Sequence, residues 1–151
     1  MDIDKIVMDF NYKPVTLGEI KTEKGSKEIT GNTLQELVMN AKYGERNLEK
    51  TCERLRGKSS FFNYCFIYDD EVAPTITAHA NNIRWDNKQF PSKQDIISMS
   101  TFPQDYNFKY DSIDNVSYIC GMSVPPIMIK RISLKLIPLI KESKEKYDER
   151  N

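Results

Sequence analysis

Histidine is nearly missing from this chain: there is one, His79, beside three cysteines, Cys52, Cys65 and Cys120. The cysteines are widely spaced and no Cys-x-x-Cys pair occurs, so a zinc site is not expected and no metal ligand is assigned. The three read instead as small, reduced core residues. His79 carries no assigned role. Long apolar runs are missing too: none reaches the ~18 residues that span a bilayer. The opening Met1-Asp2-Ile3-Asp4-Lys5 lacks the basic and apolar parts of a signal peptide. These absences predict a cytoplasmic chain with no membrane partner. Net charge is absent as well, since 22 Lys and Arg balance 22 Asp and Glu. That argues against indiscriminate nucleic-acid binding, though not against a local basic face.

What is present is the composition of a folded domain: 151 residues, 39% hydrophobic and 29% charged. Ile6-Val7-Met8 reads as a strand end. Residues 21–31 are polar and contain Gly25 and Gly31, the pattern of an exposed loop. Thr33-Leu34-Gln35-Glu36 fits a capping box opening a helix that carries Leu34, Leu37, Val38 and Ala41 and stops near Gly44. A second helix is predicted over 47–56, with Leu48, Cys52 and Leu55 as its apolar stripe. Lys42, Arg46, Lys50 and Arg54 recur every four residues, followed by Arg56 and Lys58. Glu45, Glu49 and Glu53 recur at the same interval. The pattern fits a solvated face with compensating charges. It also fits a stripe that tracks a phosphate backbone.

Aromatic and apolar residues 61–67 predict a buried strand, and 72–78 a second one interrupted by Pro74. Residues 83–86 predict a third. Arg84 and Lys88 are candidate phosphate contacts. Ser92-Lys93-Gln94-Asp95 is a helix start, with Ser92 capping and Asp95 at the third position. Ile96, Ile97 and Met99 supply its buried side, and Phe102-Pro103 stops it.

Near the C-terminus stands Tyr118-Ile119-Cys120-Gly121-Met122-Ser123-Val124-Pro125-Pro126. Pro126 can occupy the first turn of a helix, where no amide donor is needed. The stretch therefore reads as strand, tight turn at Gly121, then helix. Ile129, Ile132 and Leu136 share one face of that helix, with Met128, Ile137 and Ile140 beside it. Pro138 should kink or end it, leaving 141–151 as a charged, frayed tail.

Gly121 to Pro126 resembles the last motif of the DNA cytosine-5 methyltransferases, usually Gly-Asn-x-Val-Pro-Pro opening a helix. Residues 92–108 (SKQDIISMSTFPQDYNF) are similar to that family's penultimate motif, a Thr-x-x-Glu helix start followed by Phe-Pro-x-Asp-Tyr/Phe. Thr75-Ile76 resembles the Thr-Leu or Thr-Ile dipeptide of its target-recognition region. Val15 to Ile20 is similar to the segment that leads into that region. Serine stands for the capping threonine, Gln89 for an arginine three residues before it, and Met122 for the usual asparagine.

The resemblance implies an α+β fold: a leading segment (1–20), a small mixed strand and helix target-recognition region (21–90), the C-terminal motifs and helix (91–140) and the tail. That last helix would dock on a Rossmann-like catalytic domain. Gly121, Met122, Ser123 and Val124 would complete an S-adenosylmethionine site. Thr75 would lie beside the phosphate of the target cytosine, and Arg54, Arg56, Lys58, Arg84 and Lys88 would position double-stranded DNA. The family's own chemistry needs a Pro-Cys nucleophile, a Glu-Asn-Val glutamate and a Phe-x-Gly-x-Gly cofactor turn. None occurs in this sequence. The chain is thus expected to be inactive alone, to need an N-terminal catalytic domain or subunit, and to self-associate when isolated. The alternative is a stand-alone DNA- or protein-binding α+β domain without catalysis.

Overall fold

The computed structural model describes residues 9–78, 81–109 and 112–148. His79, the Ile6-Val7-Met8 segment and the last three tail residues lie outside them. Among the described residues the order is α1 (Leu17–Ile20), α2 (Asn32–Asn40), α3 (Glu49–Arg56), β1 (Cys65–Ile67), β2 (Asn82–Arg84), α4 (Lys93–Met99), α5 (Ile113–Met122) and α6 (Pro126–Asp148). The strands pair in parallel, with Cys65 opposite Asn82 and Ile67 opposite Arg84. This is a small mixed helix and strand protein, as the α+β expectation requires at that coarse level. No helix of the described residues is long and apolar enough to cross a membrane.

Two apolar clusters form the interior. The first gathers Ile29, Leu37, Val38, Leu48, Cys52, Phe66, Tyr68 and Ile83 from α2, α3 and the strands. Trp85 packs on it, stacked against Tyr68 and edge-on to Phe66. The second gathers Ile96 and Ile97 of α4, Phe108, and Val116 and Cys120 of α5. Cys52 and Cys120 are buried and Cys65 half-buried, all as free thiols. That agrees with the core reading for Cys52 and Cys120, whereas Cys65 belongs to neither cluster.

A polar seam joins the clusters. Arg84 at the end of β2 is fully buried, and so is Asp95 in the first turn of α4. Their side chains pair at 3.1 Å. Arg84 also pairs with Asp86 at 2.7 Å, and Lys21 pairs with both Asp86 and Asp69 at 2.6 Å. The Thr22 amide donates to Asp95 Oδ1 at 2.7 Å, and Arg84 donates to the Thr22 carbonyl at 2.9 Å. Every charge taken from water here is matched, as buried ions require.

Local signals set several boundaries. Ser92 caps α4 as expected: its hydroxyl accepts the Asp95 amide at 3.0 Å while Asp95 accepts the Ser92 amide at 2.8 Å. The Thr33 box does not form. Gly31 is the N-cap of α2, its amide donating to the Gln35 side chain at 2.9 Å, and Glu36 pairs instead with Arg56. Helix α3 is shorter than predicted and stops at Gly57, whose φ of 67° is left-handed. Of its expected stripe, Leu48 and Cys52 are buried but Leu55 is 42% exposed.

The strand expected over 61–67 shrinks to Cys65–Ile67. Residues 72–77 are irregular rather than a strand; Pro74 removes a ladder donor there. The strand expected before Gly121 is a helix. Ser112 caps α5 by accepting the Asn115 amide at 3.2 Å, and Ile113, Val116 and Cys120 keep helical spacing toward the second cluster. Gly121 lies in its last turn. Pro126 does open α6, but Pro138 does not end it, and most of the tail is helical to Asp148.

Candidate functional site

The corner between α5 and α6 is held from three sides. Ser123 is the C-cap of α5, and its hydroxyl donates to the Ile119 carbonyl at 2.6 Å. The Ile127 amide in the first turn of α6 donates to Thr101 Oγ1 at 3.2 Å. Such a bond satisfies one of the amides that a helix start leaves open. Thr101 itself has φ of 59°, so the loop after α4 is bent to bring that hydroxyl there. The third side is Gly121. A Cβ at this position would lie 2.2 Å from the Thr77 carbonyl carbon and 2.4 Å from the Ala78 nitrogen. Only glycine lets α5 approach that backbone.

The glycine contact places the segment after Thr75-Ile76 against the last turn of α5. Ile76 is half-buried on the second cluster, while Thr75 is exposed. At the corner Met122 is 67% and Val124 54% exposed. The Met122 thioether therefore stands largely in solvent. The corner offers an apolar, open surface. Its two hydroxyls, on Ser123 and Thr101, already bond the Ile119 carbonyl and the Ile127 amide.

The expected basic contacts divide sharply. Lys58 is exposed just beyond the Gly57 turn. Arg54 pairs with Glu45 at 2.7 Å and donates to the Asn40 carbonyl at 2.8 Å. Burial opposes ionisation of Glu45, but hydrogen bonds from Arg54, Thr51 and the Lys42 amide hold its carboxyl down at about 2. Arg56 pairs with Glu36. Arg54 and Arg56 thus follow the compensated reading of the stripe.

Two expected contacts are corrected. Arg84 cannot meet a phosphate, because it is fully buried and bonded to Asp86, Asp95 and the Thr22 carbonyl. Lys88 turns inward over the Trp85 ring, 5.1 Å from the Phe66 ring centroid. Burial pushes its amine down to about 8. Carboxylates compensate the buried Arg84, whereas the Trp85 face only partly offsets the desolvation of Lys88, whose Nζ has no hydrogen-bond partner among the described residues.

Asp95 was read only as a favourable first-turn charge, and its partner Arg84 went unseen. Arg84 ends β2 and Asp95 opens α4, so no single helix or strand relates them and only the tertiary fold brings them together. The same holds for Thr101, which sequence reasoning passed over. No family model, no curated protein and no solved structure matches this chain.

Proposed function

We propose that this chain is the target-recognition and C-terminal part of a DNA cytosine-5 methyltransferase. It acts on double-stranded DNA with a catalytic domain or subunit that carries the cysteine nucleophile and most of the S-adenosylmethionine site. The observation that supports this reading is the convergence of the resembling segments. Ile76 after Thr75, Ile96 to Phe108, and Ile119 and Cys120 before Gly121 contribute to one apolar cluster. Gly121 then packs on the backbone just beyond Thr75-Ile76.

In this reading Gly121, Met122, Ser123 and Val124 provide one wall of the cofactor site. Their exposed thioether and valine suit an apolar contact rather than a polar one. The cofactor supplies the methyl group when bound; the residues here exclude water from one side of it. Thr75 and Lys58 are the exposed DNA contacts. Arg54 and Arg56 reach phosphate only by leaving Glu45 and Glu36. Arg84 acts as a positioning residue by holding Asp95 and the start of α4. The apolar residues of α6 are the docking face for the catalytic portion.

A DNA- or protein-binding domain without catalysis is the second reading. Its protein-binding form is the one favoured, because Arg54 and Arg56 are held by Glu45 and Glu36 and Arg84 is buried, which withdraws three cations from phosphate. Reconstitution separates the two. The chain is mixed with the product of a reading frame from the same genome that encodes Phe-x-Gly-x-Gly, Pro-Cys and Glu-Asn-Val, and labelled methyl transfer to DNA is measured. Neither chain alone should transfer. The pair should, and Val124→Asp should raise its KM for S-adenosylmethionine by about tenfold. Absence of any such frame, or no transfer by the pair, overturns the first reading.

A further inference from the structure

The loop between α2 and α3 carries an exposed aromatic ring between two free cations. It is a hydrogen-bonded turn, the Glu45 amide donating to the Lys42 carbonyl at 3.1 Å, with Gly44 at φ of 86°. The buried Tyr68 side chain locks it: its hydroxyl accepts the Gly44 amide at 3.0 Å and donates to the Glu45 carbonyl at 2.8 Å. Tyr43, at the corner of the turn, is nonetheless 70% exposed. Its ring stands 5.1 Å from that of Tyr68 and 5.6 Å from that of Trp85, nearly perpendicular to both. Those two rings are themselves 5.3 Å apart. The three centroids thus form a nearly equilateral triangle, so both contacts reach Tyr43 from one side and its other side is open.

Lys42 opens the turn and Arg46 follows it. Both are exposed, and among the described residues neither side chain has an ion pair or a hydrogen bond. In this they differ from Arg54 and Arg56, which Glu45 and Glu36 hold. Glu45 bonds Arg54 and Thr51, and Glu49 accepts from Ser59, so neither carboxylate serves the two free cations.

We infer that this turn is a stacking site for an unpaired nucleobase, with Lys42 and Arg46 on the flanking phosphates. A ring already fixed by its neighbours loses little freedom on binding, and every base has a flat face to offer it. In a duplex those faces are taken by neighbouring bases, so the ring selects a single strand. The two cations suit a chain that carries a charge at every nucleotide. An apolar protein surface would leave both without a counter-charge. The site is separate from the α5–α6 corner, Thr75 and Lys58, and does not depend on the methyltransferase reading.

Fluorescence anisotropy of a labelled oligothymidylate of about ten nucleotides, titrated with the full chain at low salt, tests this. Binding should saturate with a dissociation constant on the order of 10⁻⁴ M. Tyr43→Ala should weaken it about tenfold and Tyr43→Phe less than about twofold. A sugar-phosphate oligomer of the same length without bases should bind the parent chain about tenfold more weakly, and Tyr43→Ala should not weaken it further. That arm needs no variant that must fold. Replacing both cations, Lys42→Gln with Arg46→Gln, should flatten the slope of log affinity against log salt by about 1.4. Oligouridylate run alongside tells whether the preferred strand is RNA or DNA. Equal binding of oligothymidylate and the base-free oligomer by the parent chain overturns the proposal. So does an unchanged salt slope in the double variant, or the absence of saturable binding.

Discussion

Helices α5 and α6 follow one another with three residues between them, and they solve opposite problems. In 10 residues α5 buries Val116 completely and Cys120 to 5% exposure. In 23 residues α6 buries none. Its Ile127, Met128, Ile129, Leu134, Ile137 and Ile140 all stand at 44% exposure or more. Apolar content alone does not make the difference: the first 15 residues of α6 carry nine apolar side chains, the 10 of α5 carry six. What separates them is access: Gly121 lets α5 lie directly on the Thr77 backbone, whereas α6 leaves the body at the Pro125-Pro126 corner. A long run of exposed apolar residues on one helix marks a surface meant for cover.

The sharpest way to break the comparison is at the seam that supports α5 through α4. Arg84→Met leaves Asp95 buried and unpaired, and should cost about 3–5 kcal/mol in urea unfolding. Replacing Asp95 with leucine as well should recover part of that loss, because the stranded charge is gone. Gly121→Ala is next. Its methyl group would collide with the Thr77 backbone, so α5 should shift outward at a cost of about 1–3 kcal/mol. Faster amide exchange around residues 77–78 would report it.

Acid should separate the regions by a milder route. Burial opposes ionisation of Asp86, yet Arg84 and Lys21 hold its carboxyl at about 2, well below the ordinary 3.8. Glu45 sits at about 2 against 4.5. Their stabilising contribution is complete above those ordinary values and is lost as pH falls through the folded ones. Emission of Trp85, the single tryptophan, should therefore change as pH drops from about 4 toward 2. The helix signal of α6 should outlast it. The smallest effect belongs to α6 itself. Leu134→Lys should move the stability of the chain alone by less than about 0.5 kcal/mol. The same substitution should weaken self-association or partner binding, read by sedimentation.

The parts of the fold written in neighbouring residues were legible. Ser92 and Asp95 close their capping box within one turn, and Pro126 opens α6 where its missing amide is harmless. Thr33-x-x-Glu36 carried the same kind of signal and lost, because Gln35 serves Gly31 and Arg56 claims Glu36 from another helix. Tyr118, Ile119 and Cys120 were misread as a strand because the helical spacing of Ile113, Val116 and Cys120 went unseen. The Ser112 cap was the missed clue. At the candidate site, the corner residues and Thr75 stay open to solvent. Arg84 and Lys88 were assigned outward because a cation on a polar stretch ordinarily is. Nothing within a turn of Arg84 announces Asp95, whereas Trp85, three residues before Lys88, was a local signal that went unread.

The parallel pairing of β1 with β2 has a consequence for synthesis. A parallel pair cannot close as a hairpin; it waits for the returning strand. Leu37, Leu48 and Phe66 leave the ribosome before Ile83 exists to cover them, and the Arg84 charge emerges before Asp95 can neutralise it. The first half of the chain therefore spends its earliest moments with its interior on the outside. Until the start of α4 appears, those apolar segments are open to wrong association.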